Sequence, residues 1–464
     1  MKNKQFDNID VEILRKVDKP GPRYTSYPTA PVFSTDFTWK DFLGEIQRTN
    51  REDAGADLSL YLHLPFCDTL CYFCGCTMIV TRSRDRIKEY NKYLKREIDL
   101  VRKNISDDRV VTQLHWGGGT PSYLDPEEIH DLATHLKNNF RYDPDIEAGV
   151  EIDPRGLTFE HMAALREAGF NRVSMGVQDF NHRVQEAVNR IQPEDITRQT
   201  VDWSRQLGFS SINLDLIYGL PFQTVDSFND TVDKIIDIAP ERIAVFNYAH
   251  VPWLKKHQTL IKPEDLPTPD QKLDILKNTM EKLGDAGYWY VGMDHFAKPG
   301  DELAIAQKNK TLYRNFQGYS TKAGCDVYGF GMSSISQFRE IYAQNKKTLK
   351  EYYDAIDNGH PATFQGYRMK RDDHIRKFVI TKLMCDFELD PKEAEKEFDI
   401  DFDEYFDESL RKLSDFMHDG FIKKENGHYI ISSNGRLIVR NIAMCFDAYI
   451  DALVKDKPIF SRTV

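Results

Sequence analysis

No run of about 18 apolar residues occurs anywhere in the 464-residue chain, so no transmembrane helix is expected. The opening stretch, MKNKQFDNIDVEILRKV, has no apolar h-region and no small-residue cleavage site. A secretory signal is therefore not expected, and the cytoplasm is the expected location. Basic charge is in deficit: 62 Lys and Arg stand against 73 Asp and Glu, leaving −11. That balance argues against a nucleic-acid partner or an anionic membrane surface, because phosphate contacts need clustered Lys and Arg. Low-complexity tracts are missing. Cysteine is scarce, with seven residues, and a disulfide framework is not expected in a long chain of a reducing compartment.

What is present suits a soluble globular protein of two or three domains, 41% hydrophobic and 29% charged. Residues 1–56 read as an N-terminal arm, in which Gly21, Pro22 and Pro28 break helix around PGPRYTSYPTAP. From residue 58 short apolar runs at 59–65, 111–116, 146–152, 172–177, 211–217 and 242–250 alternate with amphipathic segments at 86–103, 125–139, 158–168, 194–207 and 224–238. Such alternation predicts a parallel sheet with right-handed crossovers. The expected fold class is α/β, a partial (β/α)6 TIM-like barrel, with a doubly wound open sheet as the alternative. The catalytic domain is expected over 57–350. Past about 265 the pattern loosens into a helix at 269–286 and a Gly-rich, aromatic stretch. Residues 351–464 read as a mainly helical, winged-helix-like C-terminal domain. It holds a hairpin at FIKKENGHYIISS and a final helix over 433–453. A basic recognition face is lacking there. Nothing demands more than a monomer.

Four cysteines crowd into HLPFCDTLCYFCGC, directly after the first strand. Cys67-x3-Cys71-x2-Cys74 can wrap one metal group, and soft thiolates select iron–sulfur or zinc. A structural zinc site wants four ligands, usually with a second CxxC, and none follows. Three ligands leave one metal position open for a substrate or cofactor. Cys76 is a possible fourth ligand by spacing. Cys325, Cys385 and Cys445 read as plain buried thiols.

The CxxxCxxC loop, Phe73 before its third cysteine, and the glycine-rich HWGGGTPS at 115–122 after the second strand together resemble the radical S-adenosylmethionine superfamily. A finer match comes from PGPRYTSYPT at 20–29, FCGC at 73–76, GVEIDPR at 149–155, RVSMGVQDF at 172–180, AVNRIQ at 187–192, NLDLIYGLP at 213–221 and GFGMSSIS at 329–336. These resemble the oxygen-independent coproporphyrinogen III oxidase family over nearly the whole chain. Thr77 departs from the Asn expected after CGC.

The resemblance implies an enzyme of haem biosynthesis. It would convert two propionates of coproporphyrinogen III to vinyl groups by a 5′-deoxyadenosyl radical mechanism, giving protoporphyrinogen IX. It implies one 4Fe–4S cluster on Cys67, Cys71 and Cys74, and two S-adenosylmethionine molecules. The first cofactor would meet Tyr61, Gly118, Glu151 and Ile335. The second would meet Phe73, Cys76, Gly119, Thr120, Gln178, Arg190, Asp215 and Ala249. An electron donor and a final electron acceptor are implied but not named.

The residue types suit that cofactor. Asp215 and Glu151 are acceptors for hydroxyls or an ammonium, and Arg190 can pair with a carboxylate. Each could equally be a structural ion pair. Glu151, Gln178, Asp215 and Ala249 fall at or just past strand C-termini, where barrel enzymes build their sites. His63 and His115 read as packed barrel histidines, and His250 at the same rim has no assigned role. A tetra-anionic substrate calls for cations; Arg23 and Tyr24 in the arm are the candidate contacts, with Arg82, Arg84 and Arg86 candidates by position. A haem chaperone of the same superfamily and an anaerobic haem-degrading methyltransferase are the alternative functions, and a zinc-stabilised structural barrel is a third.

Overall fold

The structure, a computed structural model, describes residues 9, 11–17, 19–53, 55–453 and 460–462. Six parallel strands form the heart of the fold: β1 Leu58–Leu64, β2 Val110–Gly118, β3 Arg141–Ile152, β4 Arg172–Gln178, β5 Ser211–Tyr218 and β6 Arg242–Asn247. Helices α1 Arg84–Arg102, α2 Pro126–Asn139, α3 Phe159–Ala168, α4 Glu194–Gln206 and α5 Val225–Ile238 cross over between them. The segments named from periodicity are these elements. In α1 the buried stripe Ile87, Tyr90, Leu94, Ile98 and Val101 steps by three or four residues, as one face of a helix must. In β5 every second residue from Ile212 to Tyr218 is buried against helices, so Asn213 and Asp215 point into the barrel.

Chain ends are set by local chemistry. The carboxylates of Asp125 and Glu128 cap α2 reciprocally, with Pro126 in the first turn, where no amide hydrogen is needed. α3 stops at Gly169, whose φ of 109° a Cβ would strain.

The sheet continues past both ends of the six-strand run. β7 Trp289–Gly292 and β8 His295–Ala297 extend it antiparallel beside β6. A hairpin, β9 Tyr313–Asn315 and β10 Gly318–Ser320, stands apart from the sheet. Beyond β1 lie β11 Asp326–Phe330, parallel to it, then β12 Ile335–Gln337, β13 Ile341–Asn345 and β14 Thr363–Arg368. The full order is β14-β13-β12-β11-β1-β2-β3-β4-β5-β6-β8-β7, twelve strands among the described residues. The Gly-rich, aromatic stretch after 310 thus carries four short strands. The hairpin inserts against the barrel interior. Gln317 Nε2 donates to Ser59 Oγ at 3.3 Å, Gln113 Nε2 to Ser320 Oγ at 3.1 Å and Thr321 Oγ1 to Glu147 at 3.3 Å.

Two expectations need amending. The helical reading from about 350 misses β14, which pairs with β13 and ties residues 363–368 to the barrel sheet, past the expected boundary at 350. The expected single helix over 433–453 is three short ones, Ser433–Leu437, Val439–Met444 and Ile450–Leu453. Ile438 leaves helical geometry, and the Asp447 carboxylate turns back to accept the Tyr449 amide at 2.8 Å. The expected hairpin is present as Ile422–Glu425 paired with His428–Ile431.

The arm is fastened rather than loose. Tyr342 donates to Tyr27 O at 3.0 Å, and Tyr27 Oη accepts from Ala448 N at 3.0 Å. Arg440 Nη1 donates to Gly21 O at 3.2 Å. The arm therefore joins the barrel sheet to the C-terminal helices.

Candidate active site

The cysteine loop leaves the C-terminal end of β1 at Pro65. Its base is closed by main-chain bonds, Ile79 N to Pro65 O at 2.7 Å and Thr81 N to Cys67 O at 3.0 Å. His63, near the end of β1, reaches Thr77 O through Nε2 at 2.8 Å, and its Nδ1 meets Tyr61 Oη at 3.1 Å. Position 77 is thus engaged through its carbonyl, which any residue provides. Burial pulls the His63 imidazole below its ordinary pKa.

The three thiols sit in different surroundings. Thr120 Oγ1 donates to Cys67 Sγ at 3.3 Å. Arg155 Nη2 lies 3.5 Å and Arg190 Nη1 3.7 Å from Cys71 Sγ. The Cys76 amide donates to Cys74 Sγ at 3.4 Å, and hydrogen bonding from Cys76 pulls the Cys74 thiol down to about 6. Burial pushes the Cys67 thiol up to about 12. An iron–sulfur cluster takes its thiolates at separate irons, so its three ligands need not converge on one point.

The glycines of HWGGG make room beside this loop. A Cβ on Gly117 would stand 2.9 Å from Glu151 Oε1, and one on Gly119 would stand 2.5 Å from the Pro65 carbonyl carbon. Gly118 N donates to Glu151 Oε2 at 3.0 Å, and His115 Nε2 lies 3.5 Å from Oε1. Burial raises the Glu151 pKa, but His115 and the Gly118 amide outweigh it and hold the carboxyl below its usual range. Tyr61, Glu151 and Ile335 line one cavity of about 260 Å³ together with Phe316 and Gln317. Glu151, Ser174 and Asp215 line a second of about 230 Å³. His115, Glu151 and Gln317 border both.

Asp215 accepts from Asn213 Nδ2 at 2.7 Å and Ser174 Oγ at 3.3 Å, and burial raises its pKa to about 7. Gln178 adopts φ 69°, strained for a residue with a Cβ, and its Oε1 is buried without a partner. Arg190 Nη2 donates to Gly176 O at 2.7 Å and Nη1 to Asp153 at 3.0 Å, leaving Nε buried without a partner. Phe73 packs with Val184, Leu220 and Tyr248, and Ala249 follows Tyr248 at the rim. Tyr248 Oη meets His250 Nδ1 at 3.0 Å.

These groups fit an iron–sulfur cluster and an adenosyl amino-acid cofactor: soft thiolates, a glycine-lined space, carboxylates lining the cavities and buried polar atoms without partners. Asp153 and Arg155 were missed as site residues. Arg155 Nη2 donates to Asp153 at 2.6 Å, and the Arg155–Asp153–Arg190 triad brings two cations to Cys71. Both lie in the quoted GVEIDPR segment, just past β3, and rim position was the signal available.

The arm candidates are placed differently. Tyr24 is buried and donates to Asp447 at 2.9 Å, lining neither cavity. Arg23 pairs with Asp294 and lies 5.5 Å over the Phe246 ring, a residue of the second cavity wall. Burial, then the charges of Arg440 and Arg314, lower its pKa to about 9. Arg84 is bound to Asp125 and Glu128, and Arg82 to Asp68, as surface pairs.

The radical SAM superfamily model matches residues 61–235, and the HemN C-terminal domain model matches 369–438. The chain is 47% identical to an oxygen-independent coproporphyrinogen III oxidase of Pseudomonas aeruginosa, over 98% of each chain. It is 46% identical to that of Escherichia coli K12, again over 98% of each. The chain belongs to the oxygen-independent coproporphyrinogen III oxidase family. The solved coproporphyrinogen III oxidase (HemN) from Escherichia coli, described as a radical SAM enzyme, superposes with a TM-score of 0.91 at 45% identity. The match covers 95% of this chain and 99% of that one, so the fold is shared along nearly the whole of both.

Proposed function

We infer that this chain catalyses the oxygen-independent oxidative decarboxylation of two propionates of coproporphyrinogen III, giving the two vinyl groups of protoporphyrinogen IX. The observation that carries this is the 47% identity to a curated oxidase across essentially the whole of both chains. A chaperone or methyltransferase built on the same superfamily fold has no comparable support.

Cys67, Cys71 and Cys74 would hold the 4Fe–4S cluster. When bound, the cluster and S-adenosylmethionine supply an electron and a 5′-deoxyadenosyl radical that takes a hydrogen atom from a propionate. The chain's own residues do the holding and shielding. Arg155 and Arg190 offset the negative charge of the Cys71 thiolate. Glu151, ionised and fixed by Gly118 N, is an acceptor for the cofactor's ammonium or ribose hydroxyls. Asp215 offers a further acceptor in the neighbouring cavity, and the free carbonyl of Gln178 one outside both cavities. Two cavities meeting at Glu151 and Gln317 give room for more than one molecule beside the cysteine loop, and Asp215 is the residue expected at the second cofactor that lines the second cavity. The hairpin tip walls the first cavity with Phe316 and Gln317 and the second with Gln317, on the side where a radical needs shielding from side reactions.

Anaerobic reconstitution with iron and sulfide, followed by dithionite and S-adenosylmethionine, tests the reading. Protoporphyrinogen IX and 5′-deoxyadenosine formed together support it. Transfer of haem or a methyl group without decarboxylation contradicts it.

A further inference from the structure

The reaction above consumes an electron at the cluster, and the chain must take it from another molecule. We propose that the loop 251–262, which follows β6 and overlies the cysteine loop, is the docking surface for an acidic one-electron carrier protein. The inference rests on the functional reading given above.

Three observations converge on this loop. It is pinned to the outer side of the cysteine loop by side chains that donate to main-chain carbonyls. Gln258 Nε2 donates to Phe73 O at 3.0 Å, His257 Nε2 to Cys74 O at 2.7 Å and Lys255 Nζ to Cys76 O at 2.9 Å. It also carries the three most exposed large apolar side chains among the described residues. Trp253 and Leu254 are each 59% exposed and Leu260 is 56%. Single exposed apolar residues mean little, but a cluster centred on a Trp is what interfaces use as an anchor. Finally, the twelve residues contain Lys255, Lys256 and Lys262 and no Asp or Glu, in a chain whose net charge is −11. Lys256 and Lys262 are exposed, and no carboxylate among the described residues pairs with either. A small apolar centre flanked by two exposed, unpaired lysines suits a partner with an acidic rim and an apolar redox edge.

The location gives this surface its purpose. Electron transfer falls steeply with distance, so a carrier must seat close to a ligand loop. The cavities inside the barrel are reserved for cofactor and substrate, whereas loop 251–262 faces outward while touching the residues flanking Cys74. In the transfer, one electron leaves the reduced carrier and one enters the cluster, which passes from its 2+ to its 1+ state; no atom is exchanged.

The test uses the reconstituted holoenzyme and a reduced bacterial flavodoxin. Two double variants remove the two components of the surface: Trp253→Ser with Leu254→Ser, and Lys256→Glu with Lys262→Glu. Flavodoxin affinity is read by titration calorimetry, and cluster reduction by the paramagnetic signal that flavodoxin produces without substrate. Each double variant should weaken binding by about tenfold or more. The charge-reversed one should also lose the salt dependence of the wild type. Dithionite, which needs no docking, should drive all three proteins at the same rate, and this also shows that the variants are folded. Equal flavodoxin affinity and equal reduction rates in wild type and variants would overturn the proposal, as would a wild type that binds no flavodoxin. A protein that binds flavodoxin through this loop yet decarboxylates nothing with dithionite would contradict the functional reading and leave the docking surface standing.

Discussion

Cys71 lies between two guanidinium groups, Arg155 at 3.5 Å and Arg190 at 3.7 Å, both anchored on the buried Asp153. Those two arginines hold Asp153 down to about 2 against the effect of its burial, so the triad carries a net positive charge at any working pH. Arg155→Ala should therefore lower the cluster's midpoint potential and its retention on dilution, measured by redox titration and iron content. Arg155→Lys should recover part of the potential but not the retention, because an ammonium lacks the planar fork that meets Asp153 twice. Asp215 gives a pH signature. Its carboxyl is raised from 3.8 to about 7 by burial, so it is protonated in the free protein below neutrality. Affinity for S-adenosylmethionine should rise with pH through about 7, and Asp215→Asn should flatten that profile in equilibrium dialysis. The effect on folding has the opposite sense. The folded state keeps this proton while the unfolded chain has lost it, so Asp215 costs stability as pH climbs from about 4 to about 7. Spacing marked the thiols and strand ends marked Glu151 and Asp215, whereas Arg190, which follows the short helix His182–Ala187, was named through the family resemblance. Asp153 and Arg155 were not singled out, since an Asp-x-Arg on a rim has the same look as a surface pair.

At the scale of elements, the βα alternation was readable because each crossover helix buries one stripe and each barrel strand alternates its faces. The hairpin β9–β10 was not readable. Its residues bury polar atoms against Ser59, Gln113 and Glu147 rather than apolar ones against a core, so no hydrophobic period marks it. The second break of the last helix escaped for a similar reason, Asp447 there competing for a main-chain amide. The turn after β2 is where an element depends on single atoms. Gly119→Ala would push a methyl against the Pro65 carbonyl at 2.5 Å, and neither main chain can yield cheaply because Gly119 N is bonded to Leu64 O. Overpacking of this kind costs about 1–3 kcal/mol. The variant should show a lower Tm and reduced iron content after reconstitution, whereas Gly44→Ala, in an open position, should show neither.

Across the whole molecule the arm is the tie between barrel and C-terminal domain. Tyr27 is 2% exposed, accepts bonds from both bodies and packs its ring 6.0 Å from that of Tyr449. Tyr27→Ala should destabilise the protein by about 3–5 kcal/mol, as other buried aromatic truncations do. Tyr27→Phe, which loses only the Ala448 bond, should cost about 1 kcal/mol. Denaturant midpoints at constant slope distinguish the two. No helix among the described residues is long and apolar enough to cross a membrane. The central claim is that this assembly directs a radical to a propionate of coproporphyrinogen III, and isotope transfer tests it most directly. Coproporphyrinogen III deuterated on the propionate carbon next to the ring should pass deuterium into 5′-deoxyadenosine while protoporphyrinogen IX accumulates. Protoporphyrinogen IX formed with unlabelled 5′-deoxyadenosine, or labelled substrate returned unchanged by a cluster-replete, reduced enzyme, would contradict the account.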